Sequence, residues 1–263
     1  MTSTDIKREE RIRHEHGQRC RKLDEIRGLA VINMIAYHFL WDLVYIYGFD
    51  LGWYRSNGAY LWQQAICRTF IFLSGFCLPL GHNTARRGLT VFAGGALVTA
   101  VTLAVMPDSR VIFGVLTLTG SCMLLLCRAG HALRRLPPAL GLVVSLLLFG
   151  VTRGINDGWA GFEGLRLVKL PEALYRNLLT AYIGFPYKGF YSTDYFSLFP
   201  WLFLFLAGCF LFYLMEQTGT LRLLVKGRVP FLAAIGRHSL IIYLLHQPVI
   251  YLVCQLALVF CGE

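Results

Sequence analysis

Residues 21–43 read RKLDEIRGLAVINMIAYHFLWDL. A basic start runs into an apolar stretch that carries His38 and Asp42 partway across. Cations ahead of such a run mark a first membrane-crossing helix that starts on the cytoplasmic side. The pattern predicts a helix from about Ile26 to Tyr47, with Asp24 as its N-cap. The rest of the chain has the same character, being 56% hydrophobic and only 15% charged over 263 residues. A soluble domain is about 45–50% apolar with roughly a quarter of its residues charged. The apolar segments are continuous and do not alternate, which argues against a transmembrane barrel.

Further helices are expected at about Ala59–Gly81, Leu89–Met106 and Val111–Cys127. Pro137 and Pro138 open another, ending near Thr152, because proline suits a first helical turn. A long connection over 153–194 precedes a helix at Tyr195–Met215, and the last runs from Ser239 to Phe260. Between these two, Phe231–Gly236 reads as a short surface segment. The expected fold is an all-α, polytopic transmembrane helix bundle of about seven spans, or eight if 171–187 also crosses. Two parts are expected: a basic cytoplasmic arm at 1–22, with no cleavable signal peptide, and a single transmembrane domain at 23–263. With the N-terminus cytoplasmic, Arg86, Arg87, Arg128, Arg134, Arg135 and Arg237 all fall inside, as the positive-inside rule asks.

The net charge of +10 does not point to nucleic acid, because the cations sit between apolar runs and not on one soluble face. The eight cysteines form no CxxC pair, so neither a disulfide framework nor a zinc site is expected, and no metal. No Walker A loop, GxSxG elbow or HExxH is present.

Ionisable groups at membrane depth mark functional sites by default. His38 lies eleven residues beyond Arg27, about 16 Å along a helix and close to three full turns, so the two share a face. Asp42 is one turn further, placed to orient an imidazole acting as general base. Arg68 falls mid-helix beside Gln63 and Gln64, where it pairs with Asp42 or faces an oxyanion. Ser74 and Gly75 read as a close helix contact. Asp194 either caps the following helix or faces substrate. In GRHSLIIYLLHQP (236–248), Ser239 reads as an N-cap. Pro248 frees a carbonyl beside His246 and Gln247.

Four pieces occur in order: the opening segment, FIFLSG (71–75 with Phe70), DYFSLFPW (194–201) and GRHSLIIYLLHQP. Together they resemble the catalytic domain of the heparan-alpha-glucosaminide N-acetyltransferase family and its bacterial relatives. The opening segment also resembles the membrane acyltransferase-3 family, which O-acylates sugars of cell-envelope polymers. The resemblance implies acyl-CoA, in the first place acetyl-CoA, as the cytoplasmic co-substrate. It implies a glycan hydroxyl or amine on the outer side as acceptor. Likeness to the acyltransferase-3 family makes Arg27 and His38 the essential pair. The heparan enzymes carry Asn where His38 stands.

A physical scheme follows from these roles. CoA carries phosphates and does not cross, so Arg27, Arg86, Arg87 and Arg237 form a basic inner rim for it. His38 deprotonates the acceptor, Asp42 orients the ring, and Arg68, Asp194 and His246 serve substrate or oxyanion. The expected partners are membrane lipid, acyl-CoA and a glycan, and a homo-oligomer is compatible with the pattern. The expected location is the cell membrane, the inner one in a bacterium. A proton-coupled or small-molecule transporter using the same buried polar residues is the rival reading.

Overall fold

The computed structural model describes residues 20–162 and 164–261. Of the basic arm at 1–22, residues 1–19 lie outside the described residues. The frame is helical, as expected. Helix α1 spans Arg21–Tyr45, α2 Asn57–Phe76, α3 Thr84–Val105, α4 Val115–Leu126, α5 Gly130–Arg135 and α6 Pro138–Thr152. A hairpin follows, β1 Trp159–Phe162 paired antiparallel with β2 Leu165–Lys169. Then come α7 Leu178–Ile183, α8 Leu198–Gln217, α9 Pro230–Arg237 and α10 Ser239–Cys261.

Several expected boundaries move. Helix α1 starts at Arg21, with Cys20 in the cap position, so Asp24 is not its N-cap. Asp24 is instead buried within the first turns, where α9 packs against it. Helix α2 stops at Phe76, short of Gly81, since Pro79 disfavours helical geometry in the residue before it. Helix α4 starts at Val115 because Phe113 takes a positive φ of 59° and Gly114 is extended. Helix α8 starts at Leu198 after an extended Ser197, so Asp194 is not its cap. The Asp194 carboxylate lies against Gly114, at the start of α4, where a negative charge is favourable. Ser239 is the first residue of α10 rather than its cap; the carbonyl of His238 accepts from the N–H of Ile242. The hairpin in the long connection departs from an all-α fold: LRLVK suits a strand, and Gly161 and Gly164 supply the positive φ angles near its turn. Helix α7 occupies part of 171–187, opened by a capping box between Asn177 and Thr180.

Among the described residues five helices are long and apolar enough to cross a membrane: Arg21–Tyr45, Thr84–Val105, Pro138–Asp157, Leu198–Gln217 and Ser239–Ala257. Helix α2 has the length but carries Gln63, Gln64 and Arg68, and α4 is a shorter apolar helix of 12 residues. These spans mark an integral membrane protein.

The chain divides into two compact units. One holds the described residues up to Phe70 together with those from Gly219 on, and the other is Ile71–Thr218. In the first, α1 crosses α9 at backbone contact. A Cβ on Gly28 would collide with the Leu232 carbonyl, and one on Gly236 with the Asp24 carbonyl. Small residues on both sides let two backbones meet, which is how helices gain packing contact where lipid gives no hydrophobic drive. Glu25 Oε1 accepts from the backbone N–H of Val229 at 2.6 Å, holding the start of α9. Helix α2 is tied to α1 by Trp62 Nε1 donating to Asn33 Oδ1 at 3.0 Å. In the 3-10 turn Gly52–Arg55, the Tyr54 hydroxyl donates to the Tyr37 carbonyl at 2.9 Å. Burial, in the first place, pushes the Tyr54 phenol far above its ordinary range, so it stays a neutral donor.

The second unit repeats the device. Gly75 lies on the Phe205 carbonyl, and Gly208 on the Phe72 carbonyl, so the end of α2 crosses α8 through paired glycines. That is the close contact expected of Ser74 and Gly75. Helix α3 packs on α4, and α6 on α8, around a core including Leu118, Cys122, Phe205, Cys209 and Phe212. On the β-hairpin side, Asn156 Nδ2 donates to Ser197 Oγ at 3.0 Å and the Tyr182 hydroxyl to Ser121 Oγ at 2.5 Å.

The glycine crossings set a stability prediction. Gly28→Ala and Gly75→Ala each force backbone apart and lower stability by about 1–3 kcal/mol. Gly150→Ala, in α6 with nothing within 4 Å of its added Cβ, is neutral or gains up to about 1 kcal/mol. Thermal unfolding of the purified variants in detergent measures the difference.

Candidate functional site

The residues that gather are on α1 and α10, in the first unit. Asp42 is in the last turn of α1 and fully buried, at 0% exposure. Gln247 Nε2 donates to Asp42 Oδ1 at 2.6 Å. His246, the preceding residue, sets its ring against that of His38, with centroids 4.9 Å apart and planes at 61°. Its Nδ1 is 2.6 Å from the Tyr243 carbonyl oxygen, one turn back along α10. Tyr37 completes this wall, its ring edge-on to His38 at 5.9 Å.

Register explains why α1 and α10 meet here. Gly28 touches Gly236, and ten residues further along both segments His38 touches His246. The chain through α9 and into α10 therefore runs beside α1 in the same direction. Pro248 sits inside α10 and contributes no N–H, so the carbonyl four residues back loses its helical partner next to this cluster.

Three buried atoms of the cluster have no hydrogen-bond partner among the described residues: Asp42 Oδ2, His246 Nε2 and Gln247 Oε1. Each has a fixed sense. A carboxylate oxygen only accepts, and the Gln247 amide has turned its NH₂ to Asp42, leaving its carbonyl oxygen. A buried polar atom without a partner is costly, and each such case in a folded protein calls for an explanation. Here three lie on two adjacent turns, which concentrates the open acceptors of this unit at one place.

The sequence expectation placed Asp42 beside His38 as its orienting carboxylate. Asp42 takes its bond from Gln247, and His38 takes its ring contact from His246. Gln247 thus enters the site as a residue that spacing alone does not single out, because its partner lies 205 positions away. Arg68 is half-buried on α2 in the same unit, with Nε out of reach of solvent. Arg27 Nη1 is 3.4 Å from Asp24 Oδ1, so its guanidinium leans toward the α1–α9 crossing. Arg237 is exposed in the last turn of α9, where a cation suits the helix dipole. The second unit carries Asp194, Arg86 and Arg87. Arg86 is exposed and Arg87 half-buried, its guanidinium lying over Gly81. Among the described residues no group of three or more His, Cys, Asp or Glu side chains is arranged to hold a metal ion.

A family model described as heparan-alpha-glucosaminide N-acetyltransferase, catalytic, matches residues 19–248. The chain belongs to this family. The match runs from the start of α1 to Pro248 in α10, and so takes in both sides of the His38–Asp42–His246–Gln247 cluster. No curated protein and no solved structure matches the chain. Membership in the heparan-alpha-glucosaminide N-acetyltransferase family supports a transferase enzyme and does not favour the transporter reading.

The Asp42–Gln247 bond makes a prediction. Gln247→Leu strips the donor from a fully buried carboxylate and lowers stability by about 1–3 kcal/mol. Adding Asp42→Leu removes both partners and regains most of that loss. A shift in Tm for the single variant, reversed in the double, is the expected result.

Proposed function

We propose that this protein is a membrane-embedded acyltransferase. It moves an acyl group, in the first place acetyl, from cytoplasmic acyl-CoA to an amine or hydroxyl of a glycan on the opposite side. The observation that carries the reading is the set of three unpartnered acceptors at Asp42 Oδ2, His246 Nε2 and Gln247 Oε1. A sugar amine or hydroxyl brings the N–H and O–H donors this set lacks. The family match supplies the reaction class.

The base is one imidazole of the His38–His246 pair: depth and spacing from Arg27 point to His38 in the sequence, and the ring contact brings in His246 as the second candidate. Deprotonation in place makes the acceptor nucleophilic toward the thioester, and such a group contributes typically 10²–10⁴-fold to the rate. Transfer is either direct or through an acyl-imidazole. Arg68 is the proposed oxyanion partner and Asp194 a substrate-side residue. Arg27 and Arg237 are proposed to hold the donor's phosphates, with Arg86 and Arg87 as further candidates for that role. We place the protein in the cell membrane, the inner one in a bacterium, among lipids and open to self-association. The N-terminus faces the cytoplasm. Residues 23–263 act as the transferase domain, with α2 and α4 as spans beyond the five apolar ones.

Purified protein supplied with acetyl-CoA and an amino sugar is expected to release free CoA. The His38→Asn/His246→Asn double variant is expected to fold and release none. Absence of acceptor-dependent CoA release from the wild type across amino sugars and neutral sugars would sink the reading. For topology, an alkaline phosphatase fused to the C-terminus in a bacterial host is expected to be active, since an odd number of spans from a cytoplasmic start ends outside. An inactive, well-expressed fusion means an even number.

A further inference from the structure

His246 carries a tautomer that its surroundings impose. Nδ1 is 2.6 Å from the Tyr243 carbonyl oxygen. A carbonyl oxygen accepts and cannot donate, so Nδ1 holds the ring's proton. In the neutral imidazole the second nitrogen is then a bare lone pair. Free histidine in water favours the opposite form, with the proton on Nε2, so the Tyr243 carbonyl overrides the intrinsic preference. The lone pair at Nε2 is buried and without a partner among the described residues. An imidazole held at Nδ1 by a backbone carbonyl, with Nε2 open, has the arrangement a general base needs.

The mounting of the ring is equally specific. The next residue, Gln247, is bonded to Asp42 at 2.6 Å, which pins this turn of α10 to α1. The His38 ring bounds the other side at 4.9 Å. Asp42 Oδ2 and Gln247 Oε1, the other two open acceptors, lie on the same pair of turns.

Resting on the acyltransferase reading, we propose that His246 is the catalytic base and acts through Nε2. The Tyr243 carbonyl sets its tautomer, and Asp42 and Gln247 are positioning residues that also hold the incoming donor group. His38 is the neighbouring ring against which His246 is packed. The step balances as follows. Nε2 takes a proton from the acceptor N–H or O–H, and the acceptor's lone pair forms the new bond to the thioester carbonyl carbon. The C–S bond then breaks, and the leaving thiolate takes the proton back from the imidazolium. The acceptor leaves acylated, the donor leaves as a free thiol, and His246 returns to its neutral form.

Two measurements test this. The first is ¹⁵N NMR of ring-labelled histidine in the detergent-solubilised protein, with His246→Asn and His38→Asn used to assign signals. The expected result is the Nδ1–H tautomer for His246; the Nε2–H tautomer overturns the proposal. The second is turnover of acetyl-CoA with an amino sugar. His246→Asn keeps an amide N–H able to reach the Tyr243 carbonyl but has no basic nitrogen. Its kcat is expected to fall by about 10²–10⁴-fold, with KM for the thioester and Tm unchanged. His38→Asn is expected to keep a larger share of activity. A His246→Asn protein that retains wild-type kcat, or a loss confined to His38→Asn, overturns the assignment. A wild type that shows the Nδ1–H signal but turns over no thioester brings down the acyltransferase reading and the catalytic role with it, leaving only the tautomer standing.

Discussion

The contact between Gly28 on α1 and Gly236 on α9 is where two backbones touch with no side chain between them. Either glycine with a Cβ would run into a carbonyl of the other helix. Because backbone contact leaves no slack, it sets the register of everything that follows on both segments. Ten residues beyond it, His38 faces His246, and one turn beyond His38, Asp42 receives Gln247. A slip of one residue at the crossing would turn these side chains by about 100° around their helices and separate them. Glu25 on the Val229 N–H and the Asp24–Arg27 pair fasten the same junction from the polar side. The charged letters of LDEIRG thus serve helix docking as much as topology.

The chemistry of the cluster is a consequence of taking polar groups to depth without pairing them all. Within the first unit, Asp42 is fully buried with one of its oxygens satisfied, and Gln247 gives an amide N–H to that oxygen. The atoms left without a partner among the described residues, Asp42 Oδ2, His246 Nε2 and Gln247 Oε1, are acceptors. Such an environment suits an uncharged or cationic group with several hydrogens to give, and it is hostile to a carboxylate or phosphate. The thioester end of an acyl donor carries neither, whereas the phosphates of CoA do. Under the proposed reading, those fall to Arg side chains nearer the helix ends, as fork-like donors to phosphate oxygens.

Much of the fold was legible in the letters. Continuous apolar runs separated by Gly, Pro and cations place the long helices, and Pro138 stands in the first turn it was expected to open. The errors cluster at ends and in the 153–194 connection. Helix ends depend on what packs there: Asp24 looked like a cap from its side chain, but the helix already starts at Arg21 and Asp24 lies inside it, under α9. Asp194 looked like a cap by position, but its carboxylate turns to Gly114. A two-stranded hairpin of nine residues at most leaves little periodic signal, so LRLVK passed as part of a loop. For the site, His38, Asp42 and His246 stood out because ionisable groups in apolar helices are expensive. Gln247 was marked only as a neighbour of the Pro248 kink, with nothing to name Asp42 as its partner.

By itself, the sequence determined that this is a helical membrane protein. It also determined which polar residues its apolar helices carry, since burial cost in lipid and the length of a span are properties of composition and local order. It further determined the family, through residues 19–248. Which of those polar residues face one another was decided only by the tertiary structure. Hydrogen bonds such as Gln247 to Asp42 join positions 205 apart, and no local periodicity encodes a contact of that range. The state of His246 is of the same kind. Its ring chemistry is general, but the proton's place on Nδ1 is set by where the Tyr243 carbonyl points once α10 has folded.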